Sequence, residues 1–102
     1  MATCTHEIGT ADTGNTPNTT GAFTPVAGDL LIVFCVGSVT VEGADVVSNS
    51  AGLTFTLVES AAYNATGNTV QVYVANALAA ASSQTCTWTP ADTATGSNIF
   101  VC

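Results

Sequence analysis

The sequence predicts an all-β domain: an antiparallel β-sandwich of about eight short strands, in a jelly-roll or immunoglobulin-like arrangement. Three observations predict it. Apolar residues recur at every second position in short segments, the period of a half-buried strand. Clusters of Gly, Asn, Pro, Ser and Thr separate those segments, as turns do in sandwiches and barrels. The long-stemmed helix formers Lys and Arg are absent and Gln is scarce, which argues against a helical protein. Thr carries much of the polarity instead, and its branched Cβ suits a pleated surface. The length of 102 residues fits one domain spanning 1–102.

Each element follows in chain order. Thr3 to Ile8 alternates Cys4, His6 and Ile8 against Thr5 and Glu7. Residues 9–21, GTADTGNTPNTTG, carry no apolar period and read as a long loop or extended arm. Ala22 to Thr24 reads as a short strand, and Pro25 to Gly28 as a turn. The strongest segment is DLLIVFCV, opened by Asp29. Val39–Glu42 and Ala44–Val47 read as weaker strands around Gly43, and Ser48–Gly52 as a turn. Leu53–Glu59 alternates, Asn64–Asn68 turns, and Thr69–Ala75 alternates again. Ala75–Ser83 is Ala-rich and reads as a helical turn too short to stand alone. Gln84–Thr89 and Asn98–Cys102 complete the set.

Period two places Leu30, Ile32, Phe34, Leu53, Phe55, Leu57, Val70, Val72, Val74 and Trp88 in the core, and leaves Gln71 and Tyr73 outward. The DLLIVFCV segment is apolar on both faces, so it requires two covers, the opposing sheet and either the N-terminal arm or a second subunit. On this register Leu31, Val33 and Cys35 face outward. Leu31 and Val33, with Asp12, Asn15, Thr16, Pro17 and Asn18 of the arm, are therefore the candidate interface residues.

Charge excludes more than it identifies. Seven acids, no Lys and no Arg give a net charge of −7. Nucleic-acid backbones and anionic membranes are held by basic side chains, so neither is an expected partner. Seven acids on a domain of this size amount to about one per 760 Å² of surface, a sparse cover that suggests neighbouring subunits. The opening MATCTHEIGTADTGNT lacks the features of a signal peptide, and the expectation is synthesis in the cytoplasm of the producing cell. Cys4, Cys35, Cys86 and Cys102 match no zinc spacing. Reduced, buried thiols are the expectation, the alternative being at least one disulfide formed after release from the cell.

Nothing in the sequence assembles catalysis, and no enzyme and no cofactor are expected. His6 is the sole imidazole, and Glu7 beside it projects to the opposite side of a strand, so no triad forms. Asp12 with Asn15, or Asp92 with Thr95 and Asn98, are the loop groupings that could gather Ca²⁺ oxygens; turn-starting acids are the plainer reading. Trp88, Tyr63 and Tyr73 could stack sugar rings, although Trp88 shares the inward side of its segment with Cys86.

From FTPVAGDLLIVFCV through NSAGLTFTLVESAAYNATGNTVQVYVANALAAASSQTCTWT, roughly residues 22 to 89, the chain resembles small β-sandwich domains of structural proteins of tailed bacteriophages. Similar sandwiches occur in bacterial surface proteins. The resemblance lies in strands and turns and carries no site residues. It implies a non-enzymatic virion subunit, such as a head decoration, surface or fibre protein. Its partners would be other virion proteins and copies of itself, in a homo-oligomer located in the virion. The alternative is a carbohydrate- or surface-binding module at an extracellular surface, with a glycan as ligand.

Overall fold

The computed structural model describes residues 8–12, 17–38, 45–63, 67–76, 82–90 and 97–102. Among them run eight antiparallel strands: β1 (Ile8–Asp12), β2 (Asn18–Thr19), β3 (Leu30–Gly37), β4 (Val46–Asn49), β5 (Thr56–Ala62), β6 (Thr69–Asn76), β7 (Cys86–Thr89) and β8 (Ser97–Val101). They form a larger sheet in the order β1-β8-β3-β6-β5 and a smaller sheet in the order β2-β7-β4. The all-β sandwich expected from the sequence is the fold.

The pairing is nested. β1 pairs with β8, β2 with β7 and β3 with β6, while β8 also pairs with β3 and β7 with β4. That is the wiring of a jelly roll, with one departure. β5 lies beside β6 at the edge of the larger sheet instead of extending the smaller sheet beside β4.

Local chemistry closes the turns where the sequence marked them. Asp29 accepts the Val26 amide at 2.9 Å through Oδ2, and its own amide donates to the Val26 carbonyl at 3.1 Å. Asn49 Oδ1 accepts from the Ala51 amide at 2.8 Å, and Gly52 follows at φ +79°, a left-handed conformation that Gly adopts without a Cβ penalty.

Several boundaries differ from the sequence reading: β4 runs on to Asn49, into the expected turn, and β5 starts at Thr56 rather than Leu53 and continues to Ala62. β1 and β2 fall in or against the 9–21 stretch, which is therefore partly strand. Backbone pairing with β8 and β7 needs no apolar alternation, and the Thr-rich composition suits it. Ala75 and Asn76 end β6 rather than begin a helical turn; 77–81, like Thr3–Glu7 and 39–44, lie outside the described residues.

The core lies between the sheets. The larger sheet contributes Leu31, Val33 and Cys35 from β3, Tyr73 and Ala75 from β6, and Ile99 and Val101 from β8. The smaller sheet contributes Val47, Cys86 and Trp88, with Phe23 and Leu53 from the connections. Trp88 is fully enclosed. Burying an aromatic of that size removes about 150–250 Å² from water, a gain on the order of 5 kcal/mol at about 25 cal/mol per Å².

This core reverses the expected register of two strands. Leu31 and Val33 are 2% and 0% exposed, so they are core residues and form no outer interface. Leu30 is 55% exposed and Phe34 38%, and neither belongs to the core. On β6 the inward residues are Thr69, Gln71, Tyr73 and Ala75, with Val70, Val72 and Val74 on the other side. Trp88 and Leu53 are buried as expected, Phe55 packs against the core only in part, and Leu57 is exposed.

Candidate docking face

A strand apolar on both sides shows its core no register, and the decision comes from its neighbours. Gln71 and Tyr73 both go inward because they satisfy each other there. Tyr73 Oη donates to Gln71 Oε1 at 2.7 Å, and Gln71 Nε2 donates to Asp45 Oδ2 at 2.7 Å. Buried polar groups are tolerated when paired. Since β3 pairs with β6 residue for residue, from Leu30↔Asn76 to Gly37↔Thr69, this choice also turns Leu31, Val33 and Cys35 inward.

The consequence is an apolar outer surface on the larger sheet. Residues directly opposite in register share a face, so its composition reads in rows. One row runs Phe100, Phe34, Val72, Glu59 across β8, β3, β6 and β5. The next runs Asn98, Val36, Val70, Ala61, and a third Cys102, Ile32, Val74, Thr56, with Cys102 and Ile32 exchanging backbone hydrogen bonds at 2.9 Å. Leu30 closes the β3 end. Phe100 is 47% exposed; Ile32, Val36, Val70, Val72 and Val74 are half-buried. A bulge between Leu57 and Glu59 leaves Val58, 59% exposed, beside this surface. Glu59 is the single ionisable side chain in these rows. Apolar surface gathered on one side of a sheet makes this face the candidate for docking.

The interior offers no comparable chemistry. Burial pushes the Cys35 and Cys86 thiols up, the opposite of an activated nucleophile; both are free, while Cys102 is disulfide-bonded. The expectation of wholly reduced cysteines is corrected by that bond. Burial, with the nearby Cys35 and Asp45, pushes the Tyr73 phenol up to about 12. Among the described residues no group of His, Cys, Asp and Glu could hold a metal ion.

The remaining sequence candidates scatter. Asp12 ends β1, its backbone opposite Ser97. Pro17 is exposed, whereas Asn18 is 2% exposed in β2, so it cannot present a side chain to a partner. Asn15, Thr16, His6, Glu7, Asp92 and Thr95 lie outside the described residues. Of the aromatic trio, Trp88 and Tyr73 are buried and only Tyr63 is exposed, which removes the sugar-stacking platform. The residues sequence reasoning missed are Leu30, Ile32, Phe34, Val70, Val72, Val74 and Phe100. Their signal was present in the doubly apolar strand; only its side was misassigned. No protein-family model, curated protein or solved structure matches the chain.

Proposed function

We propose that this protein is a non-enzymatic structural subunit of a virus particle, a phage head decoration or surface protein held by apolar contact with neighbouring virion subunits. The observation that carries this reading is the outer face of the larger sheet, with Leu30, Phe34 and Phe100 substantially exposed. A jelly roll supports it without selecting it, because viral capsid proteins, lectins and cupins share that architecture. The phage-like strand pattern over residues 22–89 points the same way. So does the absence of Lys and Arg, which leaves the contact to shape, apolar area and backbone pairing. The carbohydrate-binding alternative has lost two of its three aromatics to the core.

The test is to strip the protein from its particle and measure rebinding at low and high salt. Rebinding that changes little with salt is the expected result, since apolar contact is not screened. Failure to rebind under every condition, together with measurable affinity for a free glycan, would replace this reading with the binding-module alternative.

A further inference from the structure

We infer that the outer face of the larger sheet is a self-association surface, on which a second copy of this chain packs sheet against sheet. This rests on the reading of that face as a contact surface and adds the identity of its occupant.

Charge narrows the occupant first. A basic partner would find only Glu59 on the face rows. An acidic partner would find no lysine or arginine to pair with. What fits is another neutral, apolar, nearly flat face, and this protein presents one itself.

The arrangement of side chains is self-complementary. Phe34 and Phe100 occupy the β3–β8 half, whereas Val70, Val72 and Val74 occupy β6. A two-fold axis along β3, the central strand of the sheet, lays β8 of one copy on β6 of the other, Phe100 against Val72, with the two Phe34 side chains meeting at the axis. The same axis carries the two Glu59 carboxylates, each on edge strand β5, to opposite rims. Such an isologous contact uses one patch twice and closes on itself.

Area sets the strength. Four strands about 4.8 Å apart, up to eight residues long at about 3.3 Å per residue, span roughly 19 by 26 Å. That is on the order of 500 Å² per copy and 1,000 Å² for the pair, at the lower limit for a specific interface. The expected dimer is therefore reversible and concentration-dependent.

Sedimentation equilibrium on the purified full chain tests this at roughly 50 mM and 500 mM salt, where the Debye length falls from about 14 Å to about 4 Å. A monomer–dimer equilibrium that tightens with salt is expected, because each chain carries a net charge of −7 and screening weakens their repulsion. Phe34→Glu should weaken the dimer at least tenfold, while Val46→Glu on the outer side of the smaller sheet should not. Leu30→Gln, at the end of the face, replaces Phe34→Glu if that variant fails to fold. A chain that stays monomeric at every concentration and salt overturns the inference, as does a dimer broken by Val46→Glu and not by the face variants. Rebinding to the particle by a strictly monomeric chain would sink self-association yet leave the virion role intact. A salt-tightened dimer that never binds the particle would do the reverse.

Discussion

Gln71 is the residue on which the orientation of the larger sheet turns. Its fully buried amide bridges Tyr73 Oη and Asp45 Oδ2, so truncating the phenol leaves an acceptor without its donor inside the core. Tyr73→Phe should cost about 1–3 kcal/mol, read from the midpoint of urea unfolding. The phenol also makes stability pH-dependent. Unfolded, Tyr73 ionises near its ordinary 10; folded, it holds its proton up to about 12. Between those values the unfolded state binds fewer protons, so Tyr73's contribution is intact below pH 10 and is lost as pH rises through this window. The raised Cys35 and Cys86 thiols act in the same direction from lower pH. Unfolding followed from pH 8 to pH 11 should show a steady decline, shallower in Tyr73→Phe; a flat profile would contradict the buried phenol. Trp88 is a different case. Its Nε1 is buried without a hydrogen-bond partner, so Trp88→Phe should cost clearly less than the about 3–5 kcal/mol of Trp88→Ala.

At the scale of the element, β3 makes the sharpest comparison. Adjacent leucines of the same chemistry lie on opposite sides of one strand. Leu31→Ala opens a cavity in a closed core and should cost about 2–5 kcal/mol. Leu30→Ala acts on a side chain already 55% exposed and should cost well under half of that in the monomer. Thermal melts of the two variants at low protein concentration check the pair, and similar losses would contradict the register. The same strand explains what could be read from the sequence. Turn residues announced the Val26–Asp29 and Asn49–Gly52 corners, and strand positions followed to within a few residues. Period two on β7 placed Cys86 and Trp88 inward. It failed on β3 and β6, since a slip of one residue exchanges every side chain between faces, and both faces of β3 are apolar. Three valines on β6 outweighed Gln71 and Tyr73 by hydrophobicity. Asp45, 26 residues away from Gln71, reverses that balance, and no local pattern reveals it. β1 was read as loop because its pairing with β8 is likewise a long-range fact.

The whole molecule joins those two outcomes. An all-β sandwich was legible, as were two apolar faces on β3; which of the two lies in the core was not. Reversing the register moved the candidate interface from Leu31 and Val33 to the surface around Phe34, Val72 and Phe100 without altering why an interface is expected. The nested wiring also bears on how the chain reaches this state. Among the described strands only β5 and β6 are both consecutive in sequence and neighbours in a sheet; the other pairings there join distant stretches, up to Ile8 with Val101. Closing such large loops must precede the contacts that reward it, and topologies of this kind fold in about milliseconds to seconds. The β5–β6 hairpin should acquire amide protection first in a refolding time course and the β1–β8 pair last. During that interval the strands that later form the outer face lie open at both sheet surfaces and at their edges. Refolding yield should therefore drop as protein concentration rises, by off-pathway aggregation, even where the folded domain stays in solution.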